Sequence, residues 1–121
     1  MTEKEMFIEN MKARTKRFAL DIIAFCDDLP KSNVCYRLGD QLLRSGTSVG
    51  ANYRASCRAR SQAEFYSKIS TLIEEGDESG FWLELFIESG KRDIEESHRL
   101  LAEANEITAI MAKVRKTISS R

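Results

Sequence analysis

Apolar residues return at every third or fourth position through four long stretches of this chain, the period of an amphipathic helix. The first stretch, 5–28, carries Phe7, Met11, Phe18, Ile22 and Phe25, with Leu29 just beyond. Asp28, Leu29 and Pro30 close it, because a residue that precedes proline is pushed out of α geometry. Ser32 is placed to cap the next helix with its hydroxyl. That helix, 33–59, projected at about 100° per residue, puts Val34, Cys35, Leu38, Leu42, Val49, Tyr53 and Cys57 on one broad side. Ser61 followed by Glu64 reads as a capping box opening a third helix, 61–89. Its stripe is Phe65, Ile69, Leu72, Ile73, Gly76, Gly80, Leu83 and Ile87, and Gly90 ends it at C′. A fourth helix, 92–119, carries Ile94, Leu101, Ile107, Ile110, Met111, Val114 and Ile118.

Four long helices on short connections predict a single all-α domain, 1–121, folded as an antiparallel up-and-down four-helix bundle. One proline and six glycines supply too few turn signals for an all-β chain. At 121 residues, roughly two thirds of the unfolded surface can be buried, enough for a core. Gly46 and Gly50 sit mid-helix, where each costs about 1 kcal/mol; close approach of a neighbouring helix is the expected compensation. The rival reading of GTSVG, a phosphate loop, lacks the lysine and the strand such a loop needs.

Charge narrows the functional classes. Lys+Arg and Asp+Glu are both 19, so the net charge is zero and nucleic-acid binding through bulk charge is excluded. Cys26, Cys35 and Cys57, odd in number and without a C-x-x-C pair, speak against a disulfide framework or a zinc site and are expected to be buried thiols. The first residues are charged throughout, with no signal-peptide core, and no apolar run reaches the roughly 18 residues of a membrane span. The expected setting is cytoplasmic, away from membranes.

Little in the chain suggests catalysis. Glu95 and His98 have the Glu-x-x-His spacing of di-iron bundles, but such a site needs two copies and His98 is the only histidine. It reads as a surface histidine, and no dyad is positioned around it. The carboxylates Glu74, Glu75, Asp77, Glu78, Glu84 and Glu88 form a solvated helix face, not a closed acid–base cleft. No catalytic, cofactor or metal residues are expected, and no small-molecule substrate.

What stands out is how charge is partitioned. Residues 33–60 hold five Arg against Asp40, a net of +4; residues 61–89 hold seven acids against Lys68, a net of −6. Arg37, Arg44, Arg54 and Arg58 share an arc of roughly 100° opposite the apolar side. Two readings follow: the two helices complement each other's charge, or the arginines face an anionic partner, for which the guanidinium fork is suited. Lys12, Arg14, Lys16 and Arg17 form a second basic cluster; Lys113, Arg115, Lys116 and Arg121 form a third. The third helix also carries a second apolar face. By the same count Phe81, Trp82 and Leu85 project away from its stripe, beside Glu74 and Glu78. Either another helix covers them, or they form a subunit interface.

From Gln41 to Gly90 the chain resembles the 23S ribosomal RNA intervening-sequence proteins, a bacterial family first noticed inside insertions in large-subunit ribosomal RNA genes. The likeness rests on QLLRSGTSVGAN (41–52), then Tyr53-Arg54-Ala55, Arg58-Ala59-Arg60-Ser61 and Glu64-Phe65. Lys68, Glu75, Glu78 and Trp82-Leu83-Glu84-Leu85 continue it, and Phe18, Ala19 and Ile22 suit the opening helix. It spans about 15–118; Ala55 departs from it, since related members often carry Glu there. The resemblance implies a four-helix bundle assembled as a ring-shaped homopentamer, without catalytic residues. Two functional expectations stand side by side: an oligomeric scaffold that binds structured RNA through Arg37, Arg44, Arg54 and Arg58, or an oligomeric adaptor for a protein partner, its charged faces used only for subunit pairing.

Overall fold

The described residues form four α-helices: α1 Glu3–Asp27, α2 Asn33–Cys57, α3 Gln62–Glu88 and α4 Glu95–Ser119. The structure, a computed structural model, describes residues 1–119; Arg121 of the C-terminal basic cluster lies outside them. Each helix packs on its neighbours in sequence, and α1 closes the ring against α4 along the most sparsely packed seam. The result is the up-and-down bundle expected from the periodicity. Among the described residues no helix is long and apolar enough to cross a membrane.

Helix boundaries move where side chains take over backbone hydrogen bonds. α1 begins at Glu3, earlier than the apolar period suggests, because Thr2 forms a reciprocal capping box with Glu5 at 3.1 Å in each direction. Ser61 caps α3 through the Glu64 amide, while the Glu64 carboxylate accepts from the Arg60 amide. α4 begins at Glu95, not at residue 92. There Ser97 Oγ donates to the Arg92 carbonyl at 2.6 Å, which folds Arg92–Ile94 into a turn before the helix starts. Gly90, at φ +73°, takes the left-handed C′ position.

The core runs the length of the bundle through Phe18, Ile22, Leu42, Ile69, Leu72 and Leu83, all at most 1% exposed. Phe86, absent from the expected stripe, is fully buried and meets Phe25 edge-on at 5.5 Å. Phe7, Val34 and Ile94, counted in the stripes, are instead exposed. Thr15, Ser45, Ser56 and Ser79 are buried too, each returning its hydroxyl to a carbonyl of its own helix, and Ser79 also bonds Ser45 across the α2–α3 seam at 2.8 Å. The cysteines divide. Cys35 is buried, and Cys26 is half-buried with its pKa pushed up to about 11, mainly by burial. Cys57 is exposed, contrary to expectation, because it is the last residue of α2 and stands at a cleft mouth.

Candidate nucleic-acid interface

α1 and α2 approach closely at Gly46 and Gly50. A Cβ on Gly46 would stand 2.9 Å from the Ile22 side chain, and one on Gly50 would stand 3.2 Å from the Thr15 carbonyl oxygen. The close approach expected of these residues is present. Alongside Gly50, towards the start of α1 and the end of α2, the outer surface of the seam forms a cleft of about 540 Å³. Lys12 and Lys16 line it from α1, and Arg54 and Arg58 line it from α2. Each pair is spaced i, i+4, one turn apart on a helix face, so the four cations rise as two parallel rows.

Among the described residues no carboxylate lines this cleft. Lys12 Nζ lies 3.3 Å from Glu9 Oε1, an exposed pair of small energetic weight. Among the described residues Lys16, Arg54 and Arg58 have no side-chain hydrogen bond or ion pair, so their charge is available to a partner. Thr47 and the exposed Cys57 add polar atoms to the walls. Tyr53, the only aromatic residue of the lining, is 3% exposed, and burial holds its phenol well above the ordinary pKa, hence neutral. With its ring face covered, it offers no platform for stacking a base.

The other arginines singled out in the sequence go elsewhere. Arg44 Nη1 donates to Glu75 Oε2 at 3.0 Å and its other terminal nitrogen to Glu78, joining α2 to α3 within the chain. Arg37 Nε donates to Asn33 Oδ1 at 3.4 Å. In the α1 cluster, Arg14 binds both oxygens of Glu103 at 2.7 and 2.8 Å and also reaches Glu106, tying α1 to α4. The Glu103 bond is the chief cause holding its guanidinium pKa above the ordinary value. Arg17 pairs with Asp21 at 3.1 Å. The structure therefore splits two sequence clusters and assembles a new one, Lys12 and Lys16 from the first with Arg54 and Arg58 from the second; among the described residues Lys12 alone of the four is ion-paired. All four members stand in the sequence as parts of separate clusters, and only the fold brings them together.

On α3, Phe81 is 51% exposed and meets Trp82 edge-on at 5.3 Å. Trp82 does not project freely: it is half-buried and packs on the core, with its indole Nε1–H buried and without an acceptor among the described residues. Leu85 is half-buried as well. Glu78 is engaged by Arg44, whereas Glu74 is exposed, as are Asp77, Glu84 and Glu88 around Phe81. His98 Nε2 lies 2.7 Å from Asp93 Oδ1 at the surface. No cluster of potential metal ligands occurs among the described residues.

The family pattern described as "23S rRNA-intervening sequence protein" matches residues 10–113. Among solved structures, the chain is similar to a protein of unknown function from the S23 ribosomal protein family of Bacteroides thetaiotaomicron. The two are 29% identical, with a TM-score of 0.83, covering 90% of this chain and 97% of that one. No curated protein matches the chain.

Proposed function

The chain belongs to the 23S rRNA-intervening sequence protein family, and from that premise we propose that it is a non-catalytic, cytoplasmic scaffold that binds structured RNA through phosphates held in the α1–α2 cleft. The observation that carries this is the convergence of Lys12, Lys16, Arg54 and Arg58 on one surface with no lining carboxylate among the described residues. In a protein of zero net charge, four cations beside the single exposed Glu9 make a local field where bulk charge makes none. The arginine forks suit paired phosphate oxygens, and the lysines act as point charges beside them. With Tyr53 covered, the cleft suits backbone and shape recognition of folded RNA better than base stacking on a single strand. Four cations give modest, salt-sensitive affinity per chain, and a homo-oligomer, a homopentamer by family resemblance, repeats the cleft and raises avidity.

The test is an electrophoretic shift with structured ribosomal RNA fragments at two salt concentrations. Arg54→Glu with Arg58→Glu should weaken binding at low salt and reduce the log–log salt slope by about two, roughly one per lost phosphate contact. Unchanged binding in that variant removes the cleft from the mechanism. The alternative, an adaptor for a protein partner, draws support from Arg44, whose pairing with Glu75 and Glu78 uses part of the charged surface for internal cohesion. A partner protein that binds while RNA does not, at any salt, would favour it.

A further inference from the structure

At the end of the bundle where the first turns of α1 and α3 meet the last turns of α2 and α4, the α1–α4 seam opens into a groove of about 710 Å³. Its apolar walls are Phe7, Ile8, Phe65, Ile110, Val114 and Ile118. Of these, Phe65, Ile110 and Val114 rest on the core and so are fixed in place, while Phe7 stands 41% exposed on the opposite lip. Among the described residues, charge on the groove is of one sign: Lys4, Lys12 and Lys113 lie along it, and no carboxylate does. Lys12 has Glu9 beside it; among the described residues the Lys4 and Lys113 ammonium groups have no hydrogen-bond or ion-pair partner. The ion pairs that close the α1–α4 seam, Arg14 with Glu103 and Arg99 with Asp21, lie further down the bundle and leave this end open.

We propose that this groove binds a free, single-chain anionic amphiphile of the long-chain carboxylate class, its hydrocarbon against Phe7, Phe65 and Val114 and its carboxylate among Lys4, Lys12 and Lys113. A volume of 710 Å³ falls within the range of small-molecule sites, which pair mostly apolar walls with a few polar groups that orient the ligand. A carboxylate headgroup satisfies the unpaired amines; a cationic or neutral amphiphile does not. The site is separate from the RNA reading. Lys12 lines both clefts, but Lys4 and Lys113 line only this one, so variants at those two lysines leave the phosphate cleft intact.

The experiment is calorimetric titration of the full chain, in its native assembly, with sodium dodecanoate below its micellar range. Dodecyltrimethylammonium serves as the cationic control. Dodecanoate should bind saturably and the cationic amphiphile at least about tenfold more weakly. Lys4→Glu with Lys113→Glu, both at the surface, should cost about tenfold in dodecanoate affinity, as expected for losing and reversing two exposed charge contacts. Val114→Trp, filling the groove, should abolish binding with the helical circular dichroism unchanged. Absence of saturable binding, equal binding of the two amphiphiles, or full affinity in the double lysine variant each overturns the proposal. Failure to bind together with a changed oligomeric mass in the lysine variant also overturns it, and makes the groove a subunit contact.

Discussion

Gly46 and Gly80 respond oppositely to an added methyl group. At Gly46 a Cβ meets Ile22 Cγ1 and Cγ2 at 2.9 Å, and Ile22 is fully buried with nowhere to move. Overpacking of about 1–3 kcal/mol outweighs the helix-propensity gain of about 1, so Gly46→Ala should be destabilising. At Gly80 the nearest atoms are Asn105 Oδ1 at 3.4 Å and Leu101 Cδ1 at 3.6 Å, ordinary contacts. Gly80→Ala should therefore stabilise by about 0.5–1 kcal/mol. Gly50→Leu, pressing on the Thr15 backbone, should cost about 1–3 kcal/mol. Urea denaturation at fixed protein concentration measures all three, and a raised midpoint for Gly46→Ala would contradict the close-approach account. The cysteines make an independent residue-scale test. Brief iodoacetamide treatment at neutral pH followed by peptide mass spectrometry should label Cys57 first, because it is exposed. Cys26 should lag until the pH approaches its pKa of about 11, since only the thiolate reacts. Faster labelling of Cys26 than Cys57 would place the end of α2 wrongly.

Among the elements, α2 shows why a charged face is not yet a site. At about 100° per residue, Arg58 and Arg54 lie roughly 40° and 80° round the helix from Arg44 in the same sense. In an isolated helix that is one face. In a bundle α2 touches α1 on one side and α3 on the other, so the arc straddles two seams. Arg44 falls to Glu75 and Glu78 of α3, while Arg54 and Arg58 fall to the α1 cleft beside Lys12 and Lys16. The two sets should behave differently. Arg44→Glu should leave RNA affinity within about twofold. Breaking an ion pair whose arginine is 50% exposed, and adding a third carboxylate, should lower stability by only about 1 kcal/mol. An RNA-binding loss in Arg44→Glu as large as in the Arg54, Arg58 variant would mean that the whole arc, and not the cleft, makes the contact.

At the scale of the whole molecule, the remaining asymmetry is between a cationic α1–α2 surface and an acidic, Phe81-centred surface on α3. In the bundle's ring order α1 and α3 stand at opposite corners, so the two surfaces face different directions. Complementary patches on different sides suit head-to-tail association, which closes into a ring, better than a two-fold dimer. Phe81 is the better probe of such a contact. It is 51% exposed, whereas Trp82 is half-buried on the core, so Phe81→Glu perturbs the surface without opening the interior. Native mass spectrometry should find an oligomer for the wild type and smaller species for Phe81→Glu. A monomeric wild type at micromolar concentration removes the ring; an intact oligomer in Phe81→Glu moves the contact off α3.

Helix number, helix order and most of the core were legible in the chain. Apolar spacing, the Ser32 and Ser61 caps and the Gly90 terminator are local signals, acting within a few residues of where they are written. Identities such as Lys12, Lys16, Arg54 and Arg58 were legible as well, each as part of a charged cluster on its own helix. Tertiary structure alone decided which charges neutralise each other inside the chain and which remain free. That outcome depends on distances between residues far apart in sequence: Arg14 to Glu103, Arg44 to Glu75, Lys16 beside Arg54. It also decided that Thr15, Ser45 and Ser79 are core and Phe7 is not. Burial is set by what stands opposite a side chain, and a hydroxyl that returns its proton to its own helix can be buried without an unmet hydrogen bond.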